Sequence, residues 1–212
     1  GKDGIQELFQ ALTDVTLEIG LNKAPIACAI SGNCLGAGAV FSLFCDYRVM
    51  GRTRTNFGIT EVKGGMAMGP HVFYALARII GEHQAQQMLL ESVAISSAAA
   101  FDQGLADELV GNQLAISRAV AWCDRMLKSP SHAVTQNREI ARAGLISAIE
   151  NLKQQIEQLK SNDQAGDSTT FKMPSSDKQA IAMLKLVKRL RDTVRNEHNK
   201  GRLDTPTYVS EN

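Results

Sequence analysis

The sequence has almost no excess charge, few cysteines and no long apolar run, and each of these shortages excludes a class of protein. Its 212 residues carry 23 lysines and arginines against 22 aspartates and glutamates, a formal net charge of +1. Proteins that bind nucleic acid without sequence preference usually carry a large basic excess, so that class is disfavoured. No apolar stretch reaches the roughly 18 residues of a membrane-spanning helix, and the first residues lack the pattern of a secretory signal.

Cysteine is scarce and irregularly placed. The cysteines stand among apolar or small residues, and no two form a C-x-x-C pair: Cys28, Cys34, Cys45 and Cys123. We therefore expect reduced core thiols and a reducing compartment, either the cytoplasm or an organelle such as the mitochondrion or peroxisome. The histidines have no ligand spacing to these cysteines or to each other, so no metal site is predicted.

What is present is the pattern of an α/β domain. The composition, 44% hydrophobic and 21% charged, is that of a globular chain long enough for one core. Apolar runs predict strands at 24–30, 46–50 and 105–110. Helical spacing occurs at 8–20, 39–45, 71–80, 82–90, 96–103 and 116–128. Strands that alternate with helices indicate an α/β fold with crossover connections.

The last third of the chain changes character. Residues 133–161 have helical spacing, 161–178 are rich in linker residues, and a further amphipathic helix is marked by Ile181, Leu184, Val187 and Leu190. We expect a core at 1–130, a C-terminal helical region at 131–198 with a flexible loop at about 161–178, and a tail at 199–212. The helical region could cover a subunit interface or form plain surface helices.

Three features could carry chemistry. The glycine-rich turn at 31–38 leads from a strand into a helix, where free backbone amides bind negative charge, although it could equally be a tight turn without a ligand. Glu61 stands among small and apolar residues, where desolvation would raise its pKa and make it a usable base; the alternative is a surface or capping glutamate. Lys2 could take part or be merely solvent-exposed.

Four separated blocks keep the order and spacing of a known family: KAPIACAISGNCLGAG at 23–38, CDYRV at 45–49, FGITEVKGG at 57–65 and ISSAAAFDQGLAD at 95–107. Over residues 1–130 the sequence resembles the crotonase (enoyl-CoA hydratase/isomerase) superfamily. The resemblance implies a repeated ββα spiral with a C-terminal helical region, commonly a trimer or a dimer of trimers. The family's first strands do not precede these residues, and an isolated fragment would expose a sheet edge, so we expect a longer parent chain.

The resemblance also implies an oxyanion hole. In the family, two backbone amides hold a thioester carbonyl and stabilise the enolate formed from its acyl group. By position these amides are those of Ala37 and Lys2. The substrate would be an acyl-CoA or acyl carrier protein thioester, so CoA or phosphopantetheine enters with the substrate and no separate cofactor is expected.

One position departs from the hydratase pattern. Hydratases of the family use two glutamates, which fall here on Val40 and Glu61, and a valine cannot hold or activate water. A single base suits enoyl-CoA (3,2) isomerisation, a reaction of fatty acid metabolism, with Glu61 as the proton shuttle. The residues expected at the substrate are Gly36, Gly38, Val40, Gly65, Met66, Met68 and Phe73, although the last three could be ordinary core.

Two alternatives stay open. The segments 2–5 and 39–44 look like the decarboxylating crotonase-like enzymes of polyketide β-branching, in which the Lys2 ammonium would hold a departing carboxylate on a carrier-protein substrate. The chain could also be an inactive member of the superfamily whose helical tail serves assembly. Stabilisation by acyl-CoA would favour an enzyme over an assembly protein. The length of the acyl chain is left open by the sequence.

Overall fold

A computed structural model of the protein describes the backbone of residues 2–163 and the side chains of residues 10–151 and 154. The α-helices of this part are α1 (Lys2–Leu21), α2 (Ala37–Leu43), α3 (Pro70–Ile80), α4 (Glu82–Glu91), α5 (Ser97–Asp102), α6 (Ala115–Leu127) and α7 (Ser131–Asp163). Its strands are β1 (Ala27–Ile30), β2 (Cys34–Leu35), β3 (Tyr47–Gly51), β4 (Asn56–Gly58), β5 (Ile95–Ser96) and β6 (Glu108–Val110). Short 3₁₀ turns occupy Glu61–Gly64 and Asn112–Leu114.

Within the described residues the strands form two small sheets. One sheet has the order β1–β3–β6 and is parallel throughout. The other has the order β2–β4–β5, with β2 and β4 parallel and β5 antiparallel to β4. Two passes of the chain therefore place one strand in each sheet before a helix, β1–β2–α2 and β3–β4–α3, whereas α5 separates β5 from β6. This repeat confirms the predicted α/β class with ββα units.

The core lies between the sheets and the helices that follow them. Its largest fully buried side chains include Phe44, Phe57, Leu76 and Met50. A second small cluster joins α1 to α2, where Phe41 packs against the cluster formed by the buried side chains of Ala11 and Val15. The apolar spacing of α1 therefore faces α2, which leads out of the glycine-rich turn.

The block CDYRV fixes the end of α2 to the first sheet. The Arg48 guanidinium donates to the carbonyls of Ser42 and Cys45 at 3.3 and 2.9 Å and pairs with Asp107 at 3.0 Å. Asp107 also accepts from the Arg48 backbone N–H at 2.7 Å. These bonds connect the end of α2, the strand β3 and the segment before β6. Arg48 and Asp107 therefore have a structural role.

Asp46, from the same block, fastens α7 to the core. Its carboxylate accepts from the Ile26 backbone N–H, from Arg138 Nε and from Arg142 Nη1, each at 2.8 Å. The two arginines are buried, and two apolar residues continue the same face of α7 into the core: Leu145 and Ile149. The C-terminal helical region thus begins with a helix that packs on its own chain.

Several elements differ from the sequence-based expectations. The strands β2, β4 and β5 were not predicted, since each has only two or three residues and two of them lie in glycine-rich stretches. The predicted strand at 24–30 is regular only from Ala27. The helix predicted at 96–103 is confirmed as α5, and the Ser96 side chain caps it by accepting from the Ala99 backbone N–H at 3.2 Å. Most of the loop predicted at 161–178, the helix predicted at 181–190 and the tail lie outside the described residues.

Candidate functional site

The glycine-rich turn ends at a backbone conformation that only glycine adopts easily. Gly36 has φ 58° and ψ −127° and immediately precedes α2. Its N–H donates to the Gly58 carbonyl at 2.9 Å, which ties the turn to β4. Ala37 is the first residue of α2, and the first amides of a helix have no intrahelical acceptor. The turn therefore leaves the amide of Ala37 available to an acceptor outside the helix.

Glu61 lies directly beside this turn. It begins the 3₁₀ turn that follows β4, and only 8% of the residue is exposed. Its Oε1 atom lies 3.5 Å from the point that a Cβ on Gly36 would occupy. Its Oε2 atom is buried and has no hydrogen-bond partner in the described structure. A carboxylate with one unpartnered oxygen thus lies one residue from the Ala37 amide.

The environment of Glu61 favours its protonated form. Burial raises the pKa of the carboxyl, and hydrogen bonds from the backbone amides of Glu61 and Thr60 offset only part of that increase. This is the direction that the apolar surroundings in the sequence predict. A carboxylate with a raised pKa is a stronger base than an exposed one, which suits proton transfer from carbon.

The position of the missing glutamate lies in the first turn of α2. Val40 is buried, with 8% of the residue exposed, and its N–H donates to the Gly36 carbonyl at 3.0 Å. Gly38, two residues earlier, is exposed, and a Cβ there would lie 3.9 Å from Cys34 Sγ. In the turn and the start of α2, Val40 therefore contributes an apolar side chain and no proton donor or acceptor.

The residues expected to line the acyl chain follow Glu61 and continue into α3. Gly65 ends the 3₁₀ turn in a left-handed conformation, φ 75°, and the Met66 N–H donates to the Glu61 carbonyl at 3.0 Å. Met68 and Phe73 are partly buried against the main core. Their contact with a substrate stays a prediction.

Lys2, the third predicted catalytic residue, lies on α1 and not at the turn that holds Ala37 and Glu61. Lys2 is the first residue of α1, and its side chain is outside the described set. The described contact between α1 and α2 involves Ala11, Val15 and Phe41. Ala37 and Glu61 are brought together by the fold, whereas the role of the Lys2 amide in the oxyanion hole stays a prediction.

Two polar residues near these elements were missed by sequence reasoning. Thr60 Oγ1 lies 3.7 Å from the same point above Gly36 that Glu61 Oε1 approaches. His71, at the start of α3, is 7% exposed, and burial lowers its pKa to about 4. Its ring centroid lies 6.0 Å from that of Phe44, and its Nδ1 atom has no partner in the described structure. A lone threonine or histidine has no spacing pattern that could have singled it out.

Comparison with known proteins agrees with this architecture. The sequence profile of the enoyl-CoA hydratase/isomerase family matches residues 3–179, so the chain belongs to that family. It is 32% identical over 126 residues to "Probable enoyl-CoA hydratase echA17" of Mycobacterium avium (strain 104), a match that covers 59% of this chain and 47% of that protein. It is 30% identical over 127 residues to (E)-benzylidenesuccinyl-CoA hydratase of Thauera aromatica, covering 60% and 49%.

Solved structures share the fold. ThnE from S. clavuligerus superimposes with a TM-score of 0.61 at 24% identity, covering 68% of this chain and 72% of that one. A structure titled for a dehydratase/decarboxylase enzyme couple of polyketide beta-branching gives a TM-score of 0.59 at 20% identity, covering 76% and 66%. The crotonase fold is thereby confirmed, and the predicted C-terminal region is helical over the part that the structure describes, α7.

The matches to the curated relatives cover only part of those proteins. The chain spans about half the length of the curated relatives that it matches. Among the described residues, no helix has the length and apolar character needed to cross a bilayer. The same part of the chain contains no group of three or more His, Cys, Asp or Glu side chains that could hold a metal ion.

Proposed function

We propose that the chain carries the reaction centre of an enzyme that acts on acyl-CoA thioesters by stabilising an enolate. The reaction that its residues suit best is the conversion of a 3-enoyl-CoA into a 2-enoyl-CoA. One observation supports this proposal above the others: the Glu61 carboxylate and the Ala37 amide flank Gly36, so that a base and an anion-binding amide meet at one turn.

The proposed reaction needs only one base. The Glu61 carboxylate takes a proton from C2 of the 3-enoyl thioester, and the electron pair of that C–H bond moves onto the thioester oxygen, giving a dienolate. The amides of Ala37 and Lys2 donate to this oxygen, and each such donor stabilises the transition state by about 3 kcal/mol. Protonated Glu61 then returns the proton to C4, which leaves the double bond between C2 and C3 and regenerates the carboxylate.

Burial of Glu61 supports the same reading. A proton on C2 of a thioester is only weakly acidic, so a base with a raised pKa lowers the cost of its removal. Val40 adds no second carboxylate, which separates this site from the two-glutamate arrangement that hydration uses in the family.

We also propose that the whole protein assembles as a trimer or hexamer, which light scattering of the full-length protein would check.

The first test is the substitution Glu61→Gln, assayed by the rate at which 3-enoyl-CoA becomes conjugated 2-enoyl-CoA. We expect a loss of at least ~100-fold in kcat, the contribution of a positioned general base. The matched control is Glu91→Gln, since Glu91 is exposed at the end of α4 and should leave the rate unchanged.

Three outcomes of that assay are informative. Double-bond migration undiminished in Glu61→Gln would refute the assignment of the base. Loss of carbon dioxide from a 3-methylglutaconyl thioester, with no double-bond migration, would move the assignment to the decarboxylating enzymes and to Lys2. No reaction of either substrate with the full-length protein would favour an assembly role.

A further inference from the structure

Two free cysteines stand at the place where the end of α2 meets the strand β1. Cys28 is the second residue of β1 and is half-buried. Cys45 follows the C-terminal end of α2, and only 8% of it is exposed. Both side chains are free thiols in the structure. The glycine-rich turn and α2 separate them in the sequence, so their proximity comes from the fold.

Backbone pairing brings the two cysteines to one face of the first sheet. Cys28 is opposite Arg48 in the parallel ladder of β1 and β3, and side-by-side residues of a ladder project to the same face. The Arg48 guanidinium donates to the Cys45 carbonyl at 2.9 Å. The N–H of Asp46, the residue after Cys45, donates to the Ile26 carbonyl at 2.8 Å. These bonds hold the Cys45 backbone beside the strand that carries Cys28.

The two thiols also interact directly. A side-chain hydrogen bond with Cys28, more than burial itself, raises the pKa of the Cys45 thiol well above its usual value. The Cys45 thiol has a second acceptor in the Phe41 carbonyl, 3.6 Å from its Sγ atom. Cys45 is thus protonated and shielded, so the half-buried Cys28 is the sulfur that a dissolved oxidant reaches first. An accessible thiol beside a second, buried one is the arrangement of a redox-sensitive cysteine with its resolving partner.

We propose that Cys28 and Cys45 form a reversible redox pair, in which a peroxide converts the two thiols into a disulfide between β1 and the end of α2. The loop that this bond closes contains the whole glycine-rich turn, the Ala37 amide and α2. Oxidation therefore acts on the segment that carries the anion-binding amide and leaves Glu61 chemically unchanged. The inference does not depend on which reaction the site catalyses.

The oxidation balances with one molecule of hydrogen peroxide. The Cys28 sulfur attacks one peroxide oxygen and the O–O bond breaks; the other oxygen leaves as water with the Cys28 proton, and Cys28 becomes a sulfenic acid. The Cys45 sulfur then attacks the Cys28 sulfur, and the sulfenic hydroxyl leaves as water with the Cys45 proton as the S–S bond forms. Two electrons pass from the thiols to the peroxide, and dithiothreitol reverses the change by thiol–disulfide exchange.

The test treats the reduced full-length protein with hydrogen peroxide under native conditions, blocks the remaining thiols with N-ethylmaleimide and maps the peptides by mass spectrometry. We expect a crosslink between the Cys28 and Cys45 peptides, lighter than the reduced pair by the hydrogens lost and released by dithiothreitol. Cys28→Ser and Cys45→Ser should abolish this crosslink. The control Cys123→Ser, which alters a buried thiol on α6, should keep it.

The variants also separate the two roles. In Cys45→Ser the sulfenic acid on Cys28 has no resolving partner, so the sulfenic-acid reagent dimedone should label Cys28 at least ~5-fold more than in the native protein. In Cys28→Ser, dimedone should leave Cys45 unlabelled. Cys28→Ser changes a half-buried side chain, so it keeps the test open if the buried position of Cys45 does not tolerate serine.

The disulfide should also raise the unfolding temperature of the oxidised protein by at least ~3 °C, because it closes a loop in the unfolded chain. Two results would overturn the inference: native protein whose Cys28 and Cys45 both stay free after peroxide treatment, or a crosslink that persists in Cys28→Ser. A crosslinked protein that unfolds at the same or a lower temperature would also overturn it, since the bond would then not fit the folded chain.

Discussion

Gly36 determines the shape of the site at the scale of a single residue. Its φ of 58° with ψ of −127° is strained for any side chain, and a Cβ there would contact the Glu61 carboxylate at 3.5 Å. We expect Gly36→Ala to cost about 1–3 kcal/mol of stability and to lower kcat more than it raises KM, because relief of the backbone strain shifts the turn that carries the Ala37 amide. Gly32→Ala is the control within the same turn, since nothing lies within 4 Å of its Cβ position. Chemical denaturation and steady-state kinetics of both variants would check this, and equal behaviour of the two would contradict it.

His71 makes stability depend on pH. Burial lowers the pKa of His71 to about 4 in the folded chain, against 6.5 without burial, so between these values the unfolded chain binds a proton that the folded chain does not. Stability is therefore full above pH 6.5 and falls as the pH drops towards 4, by roughly 3 kcal/mol in total.

We expect His71→Leu to remove that part of the pH dependence. Urea unfolding of both proteins from pH 7.5 to pH 4 would measure it as the difference between the two stability curves. His83→Leu is the control, because His83 is exposed on α4. A difference curve for His71→Leu that is flat across this range would show that folding does not shift the pKa of His71 and would contradict the prediction.

At the scale of an element, α7 is held by charge as well as by apolar packing. Arg138 and Arg142 share one carboxylate, Asp46, and the two arginines are 9% and 2% exposed. Removal of one partner of a buried ion pair leaves the other charge unpaired, which typically costs about 4 kcal/mol. We expect Asp46→Asn to lose roughly that much stability and to speed hydrogen exchange at 138–149 in α7.

Asp124→Asn is the matched control, since Asp124 is an exposed carboxylate on α6. Its exchange in α7 and its unfolding midpoint should equal those of the native protein. If Asp46→Asn also left both unchanged, α7 would be held by its apolar face alone, through Leu145 and Ile149.

The same helix shows where sequence reasoning stops. Apolar spacing predicted α1, α3, α4 and α6 because each buries one face, and a strand of four or five apolar residues such as β3 is equally visible. Arg138 and Arg142, four residues apart, look like a solvated face in the sequence. Asp46 is 92 residues from Arg138 in the sequence, and only the fold brings it to these two arginines. Their pairing with Asp46 is what allows this face of α7 to be buried.

The candidate site was predictable only where its residues belong to a recognisable sequence pattern. Ala37 and Glu61 belong to blocks whose order and spacing are specific, so their partnership could be expected from the sequence. Thr60 adjoins Glu61 in the chain, yet which way its hydroxyl points depends on the conformation of the 3₁₀ turn. No periodicity or composition encodes that direction.

At the scale of the whole molecule, the described site is drawn from a short stretch of chain. Gly36 follows β2, Ala37 begins α2 and Glu61 begins the turn after β4. The strands β2 and β4 pair in the second sheet and so bring these residues together. A ligand seated there would join these elements and bind only the folded chain. Ligand binding should therefore report on the native fold even if turnover is slow.

We expect saturating acyl-CoA to raise the unfolding temperature of the full-length protein. A ligand at about 100 times its Kd adds ~2.7 kcal/mol, which for a domain of this size corresponds to roughly 5–11 °C. The controls are free CoA and a thioether analogue without the carbonyl oxygen, which should stabilise less because they give the Ala37 amide nothing to bind. Equal shifts with the thioester and the thioether would argue against an oxyanion hole at Ala37, and no shift with any of the three would leave an assembly protein as the better account of this chain.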